Sequence, residues 1–170
     1  MTRVAIHARK AWLQGLSPKE NREIPPLDYS LVLRMKEAFP DLHVSINGGI
    51  GSLDEAENLL AQGVDGVMIG RAAYQTPWDI LADADRRIFG DENPCATPFD
   101  AVEKMIPYVE DHLAEGGRLH SVTRHMLGMF AGRPGARVWR RRLSEGAHED
   151  GAGVDLIVSA LEDMRAQQAA

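Results

Sequence analysis

His43-Val44-Ser45-Ile46-Asn47-Gly48-Gly49-Ile50, followed downstream by Gly66-Val67-Met68-Ile69-Gly70-Arg71-Ala72, is the stretch that decides the fold. Each part begins as a β-rich run and ends on glycine, and Val67-Met68-Ile69 is apolar on both faces, as a strand inside a parallel sheet must be. Between them Ser52-Leu53-Asp54-Glu55 opens a helix with a capping box, and Gly63 closes that helix after about Gln62. Strand, helix and strand fill the twenty-three residues from Asn47 to Gly70. One crossover of this kind brings both strand ends to the same edge of a parallel sheet.

Reading outward, Val4-Ala5-Ile6-His7 is a further short strand, and Leu27 to Phe39 has helical spacing of Leu31, Leu33, Met35 and Phe39. The long segment Ala8 to Pro26 between them carries Gly15, Pro18, Pro25 and Pro26, with Arg9, Lys10, Lys19 and Arg22 giving it a basic character. A loop of that length in a compact α/β unit is either a ligand-binding loop or a solvated excursion. After Gly90 the composition changes. Residues 91–98 form a polar, proline-bearing connector, and no β-rich run follows it. Helical spacing predicts helices over Phe99 to Ala114, Leu119 to Phe130, Ala136 to Ser144 and Gly153 to Ala166.

Composition narrows the class. The chain has 170 residues, 44 % apolar and 26 % charged, which suits a globular fold with a real core and excludes disordered and collagenous chains. No run approaches the apolar length that a membrane helix needs, and the N-terminal residues lack the long apolar run of a signal peptide, so a cytoplasmic location is expected. The single cysteine, Cys95, precludes an intrachain disulfide and a multi-cysteine zinc site, and no metal is expected. Cys95 sits in the connector with no histidine near it in sequence and reads as structural. The net charge of -6 conceals an uneven distribution. Arg118, Arg124, Arg133, Arg137, Arg140, Arg141 and Arg142 fall within twenty-five residues that contain no Asp or Glu, so the partner of that segment should be an anion.

The strand ends carry the first chemical signal. A βα turn opens onto a helix N-terminus, whose free N–H groups and dipole favour a phosphate. Gly48, Gly49 and Gly70 permit close approach or positive φ, and Arg71 adds a charged donor. This pattern matches the phosphate site after the last two strands of a (β/α)₈ barrel. Flavins, sugar phosphates and nucleotides would all fit it, and a Gly-Gly turn also occurs without a ligand. His7 ends the first strand and would share that mouth, either as a donor to a ligand or as a structural residue. The second signal is the spacing of Arg133, Arg137, Arg140 and Arg141, which places them along one helical face. An acid-free arginine face favours a nucleic-acid backbone over a merely solvated helix, and folded RNA suits it.

Ile6-His7-Ala8-Arg9-Lys10-Ala11-Trp12-Leu13 and Gly15-Leu16-Ser17-Pro18-Lys19-Glu20-Asn21-Arg22-Glu23-Ile24-Pro25-Pro26-Leu27-Asp28-Tyr29 closely resemble a signature of the tRNA-dihydrouridine synthase A family. The resemblance continues through Ser45 to Ile50, Asp65 to Gln75 and Thr123-Arg124-His125-Met126-Leu127-Gly128-Met129-Phe130. It implies an FMN-dependent reductase that saturates the C5–C6 bond of uridines in the tRNA D-loop, with NADPH as electron donor. It also implies the fold: the C-terminal part of an FMN-binding (β/α)₈ TIM barrel over residues 1–92, and an all-helical tRNA-binding domain over 97–170. By the same resemblance His7, Asn47, Gly48, Gly49, Gly70 and Arg71 bind the cofactor, and Arg22, Arg137, Arg140, Arg9 and Lys10 contact tRNA.

Family members carry an earlier half-barrel with the proton-donating cysteine, and that half is not in this sequence. No catalytic residue is therefore expected here, the chain alone is expected to be inactive, and the open half-barrel is expected either to associate with a second copy or to have lost an N-terminal segment that completes it. Two other functions remain open at this point. One is a non-catalytic RNA-binding remnant, and the other is a different FMN- or phosphate-binding barrel oxidoreductase.

Overall fold

The computed structural model describes residues 1–169; Ala170, the last residue of the expected helical segment, lies outside them. The chain divides into two compact units, Met1–Ala72 and Ala73–Ala170.

The first unit is an α/β layer around a three-stranded parallel sheet in the order β1 (Arg3–His7), β2 (His43–Asn47), β3 (Gly66–Met68). Helix α1 (Tyr29–Ala38) crosses from β1 to β2, and α2 (Leu53–Ala61) from β2 to β3. The register sets Ile6 against Ile46 and His7 against Asn47, then Asn47 against Met68. Val44 and Ile46 on one face of the central strand are fully buried with Val32 of α1 and Leu59 of α2. The alternate residues Ser45 and Asn47 are only half-buried. That alternation is the period-two rule applied to a strand with one covered face. Asp65 ties the layer together. Its carboxylate accepts from the Val44 N–H at 2.8 Å and pairs with Lys36 of α1 at 2.8 Å.

Boundaries differ from the sequence reading where a side chain intervenes. Helix α1 starts at Tyr29 because the Asp28 carboxylate accepts from the Leu31 N–H. That releases Leu27 to bridge Arg9 in antiparallel fashion. Strand β3 ends at Met68, two residues short of Gly70. The long segment is mostly exposed and is closed by its own hydrogen bonds. Besides the Arg9–Leu27 bridge, the Asp28 backbone N–H donates to the Ala8 carbonyl at 2.7 Å, Trp12 and Asn21 bond reciprocally, and Glu20–Arg22 form one 3₁₀ turn.

Helix α3 (Arg71–Gln75) begins in the first unit and ends in the second, where α4 (Pro77–Leu81) follows, then a π-helical turn over Asp85–Phe89. None of the three was expected from the sequence, where that stretch shows no sustained period. Helices α5 (Pro98–Ala114), α6 (Leu119–Thr123), α7 (Ala136–Gly146) and α8 (Val154–Ala169) complete it. Among the described residues no strand follows β3. The core is Val102, Val109, Phe130, Trp139, Leu143, Ile157 and Met164, all fully or almost fully buried. Trp139 stands edge-on to Phe130 with ring centroids 5.0 Å apart, and its indole N–H donates to the Met126 carbonyl at 2.9 Å.

One predicted helix is cut short. Instead of running from Leu119 to Phe130, α6 ends at Thr123 and the chain continues in tight turns such as Met126 N–H to Thr123 O and Ala131 N–H to Gly128 O. Two contacts account for it. The Met126 carbonyl is taken by Trp139, and Gly128 packs so closely on the end of α3 that a Cβ there would lie 2.4 Å from the Gln75 carbonyl oxygen.

Candidate functional site

Parallel pairing in register places His7, Asn47 and Met68 abreast at the ends of three neighbouring strands. A short polar chain joins them. His7 Nδ1 lies 2.6 Å from Asn47 Oδ1, and Asn47 Nδ2 donates to the Met68 carbonyl at 2.6 Å. A carboxamide oxygen can only accept, so the imidazole carries its proton on Nδ1 and leaves Nε2 as the exposed polar atom. Asn47 is thereby fixed in one orientation, and His7 is aimed by it.

The glycines play different parts. Gly48 and Gly49 have φ of +120° and +72°, a region that side chains other than glycine seldom adopt. Their missing Cβ positions are nevertheless filled, because a Cβ on Gly49 would meet Leu27 Cδ1 at 2.5 Å and one on Gly48 would meet Leu27 Cδ2 at 3.0 Å. Tyr29 donates to the Gly48 carbonyl at 2.6 Å, and burial raises its phenol above the ordinary tyrosine range, with Glu55 adding to the effect and Arg9 opposing it. The bare side of Gly70, in contrast, faces nothing within 4 Å. A phosphate could reach that backbone where a side chain would obstruct it.

Arg71, next in the chain, is exposed and pairs with Glu23 of the long loop at 3.2 Å. An exposed pair of this kind contributes about 0–1 kcal/mol and leaves the guanidinium able to turn to a stronger anion. The N-terminus of α2 is already supplied. Glu55 accepts from the Gly51 N–H at 2.6 Å and Ser52 caps the Glu55 N–H, so the chain's own carboxylate stands where the sequence reading allowed a phosphate. Glu23 and Tyr29 had no signal of their own in the sequence, since neither belongs to a glycine turn or a charge run.

The expected RNA-contacting residues separate into bound and unbound cations. The Arg9 guanidinium donates to the carbonyls of Glu23 and Pro25 and latches the loop. Lys10 and Arg22 are exposed on that loop. On α7, Trp139 and Leu143 point into the core, while Arg137, Arg140 and Arg141 are exposed and have no ion-pair partner among the described residues. Two arginines of the run are occupied: Arg133 lies before the helix and pairs with Asp79 at 3.0 Å, and Arg142 pairs with Asp163 of α8 at 2.7 Å. The expected stripe is therefore shorter than its spacing implied, and Arg133 is not part of the helical face. Cys95, half-buried, lines an apolar hollow of about 150 Å³ with Trp78, Leu81 and Met129.

The family model for dihydrouridine synthase (Dus) matches residues 1–168. The chain belongs to the dihydrouridine synthase family. Among curated proteins it is similar to the tRNA-dihydrouridine(20/20a) synthase of Escherichia coli K12, with 59 % identity over 157 residues that cover 92 % of this chain and 45 % of that protein. The enzymes of the same name from Shewanella oneidensis and Vibrio cholerae are 54 % and 53 % identical, covering 94 % and 96 % of this chain. The chain spans about half the length of these relatives. Dihydrouridine synthases are thus its kin over nearly all of its residues. No helix among the described residues is long and apolar enough to cross a membrane.

Proposed function

We propose that this chain is the C-terminal portion of a tRNA-dihydrouridine synthase, holding one side of an FMN site and an RNA-binding surface. The observation that carries the reading is the row His7, Asn47, Met68 across three parallel strand ends beside the open face of Gly70. In a barrel, strand carboxyl ends are where ligands sit, and the late strands are where phosphate is held. On this reading residues 1–92 are barrel and residues 97–170 the tRNA-binding domain.

The residues fit a phosphate-bearing flavin. Gly70 leaves backbone accessible, Arg71 supplies charge, and His7 offers Nε2 as an oriented polar atom. Gly48 and Gly49 shape the turn that keeps Asn47 at the mouth. FMN, when bound, supplies the electron chemistry that saturates the uridine C5–C6 bond, with NADPH as the reductant. Arg137 and Arg140 contact the tRNA backbone, Arg22 and Lys10 add charge from the loop, and Arg9 acts through the shape of that loop. Such an enzyme works in the cytoplasm, where its tRNA is.

The test titrates the purified chain with FMN and follows flavin fluorescence, comparing Gly70→Val with the parent. Because nothing lies within 4 Å of the Gly70 Cβ direction, the substitution should leave stability unchanged and weaken FMN binding at least tenfold. Equal FMN affinity in both proteins would sink the cradle. Saturable tRNA binding without any FMN binding would favour an RNA-binding remnant instead.

A further inference from the structure

Tyr74, His125 and Arg124 form a second polar constellation, wholly within the Ala73–Ala170 unit. Arg124 Nε donates to His125 Nε2 at 3.0 Å, and His125 Nδ1 lies 2.9 Å from the Tyr74 hydroxyl. The rings of Tyr74 and His125 meet nearly edge-on, with centroids 5.9 Å apart and planes at 72°. Tyr74 is 57 % exposed, and both partners are also exposed.

The proton positions follow from donor chemistry. A guanidinium has no acceptor, so His125 Nε2 must present a lone pair and the imidazole is neutral with its proton on Nδ1. That proton goes to the Tyr74 oxygen. The tyrosine must then send its own O–H elsewhere, and it has no other partner among the described residues. Arg124 likewise has no ion-pair partner among the described residues, and the segment from Arg118 to Arg142 contains no acid. An oriented hydroxyl and a guanidinium with free terminal N–H groups, fixed on opposite nitrogens of one ring, set a directed donor beside a charged one. Their complement is an oxyanion.

We propose that Tyr74 and Arg124, aligned through His125, bind a nucleotide phosphate. This rests on the RNA-binding reading above insofar as the phosphate is taken to be a phosphodiester of the RNA backbone; the other source with the same chemistry is the phosphate of a soluble nucleotide. Tyr74 and Arg124 touch the ligand, whereas His125 is a positioning residue that selects the direction of the tyrosine proton. Nothing in the apolar periodicity of the helical segments marks these residues, because they come from α3 and from the turn after α6.

The experiment measures the affinity of a tRNA transcript for the full chain across a range of salt concentrations, with Tyr74→Phe, Arg124→Gln and the Arg137→Ala/Arg140→Ala double variant in parallel. Tyr74→Phe should weaken binding at least tenfold with an unchanged salt dependence, since it removes one hydrogen bond to a charged group. Arg124→Gln should lower the slope of log affinity against log salt by about one. Loss only in the Arg137/Arg140 variant would overturn this site and leave the RNA-binding reading standing. If the parent fails to bind tRNA, that reading falls, and the site is then judged by NADPH titration with the His125 side-chain ¹⁵N signals as readout. A shift that disappears in Tyr74→Phe would assign the phosphate to a soluble nucleotide, and no shift would refute the site. The same spectra report the tautomer, and a proton found on Nε2 would overturn the alignment.

Discussion

Gly49 shows what one missing Cβ accomplishes. At φ +72°, with Leu27 Cδ1 2.5 Å from the position a Cβ would take, an alanine is both strained and crowded. Gly49→Ala is expected to destabilise the first unit by about 1–3 kcal/mol, measured by denaturant unfolding. The positive φ of Gly48 and Gly49 was legible from the Gly-Gly turn itself. What fills the space beside them was not, since Leu27 reads as the first residue of a helix and in fact lies outside it, paired with Arg9. His7 is similar: the sequence puts it at a strand end, but only the register with Asn47 decides which ring nitrogen faces outward.

At the scale of elements, α5 is held at its start by a complete capping box. Thr97 accepts from the Asp100 N–H at 3.2 Å, and Asp100 accepts from the Thr97 N–H at 2.8 Å. Thr97→Ala should cost about 1 kcal/mol, read as a lower denaturation midpoint. The Thr97 N–H and hydroxyl, in that order, hold the Asp100 carboxyl below the usual carboxylate range. A depressed carboxylate contributes stability above its unfolded value, about 3.9, and loses it as the pH falls through the folded one. The difference between Thr97→Ala and the parent should therefore shrink in strong acid. Helix α7 illustrates what a pattern can and cannot convey. Its core stripe of Trp139 and Leu143 and its arginine face follow from the helical period, but Arg142 faces Asp163 because α8 packs alongside.

For the whole molecule, the pH response should be governed on the near-neutral side by His120. Loss of water around its half-buried ring lowers its pKa, with His148, Arg124 and Arg118 adding repulsion; the His120 and His148 ring centroids are 4.6 Å apart. Because the folded state binds this proton less readily than the unfolded chain, stability is complete above the unfolded value of about 6.5 and declines as the pH drops below it. Urea unfolding followed by the fluorescence of buried Trp139 should show that decline in the parent and a flatter response in His120→Gln; equal slopes would exclude His120 as the cause.

Taken by itself, the amino-acid sequence determined the three parallel strands, the helices that cross between them, the glycine turns and the family, because period, caps and turn residues act over a few neighbouring positions. The helices of 71–89 escaped it, being too short for a period to develop. Only the tertiary structure decided which polar groups are occupied: Arg71 by Glu23, Arg133 by Asp79, Arg142 by Asp163 and His125 by Tyr74. Those partners are 21 to 54 positions apart in the chain. Local spacing does not encode them, and they come within bonding reach only when the strands and helices have packed.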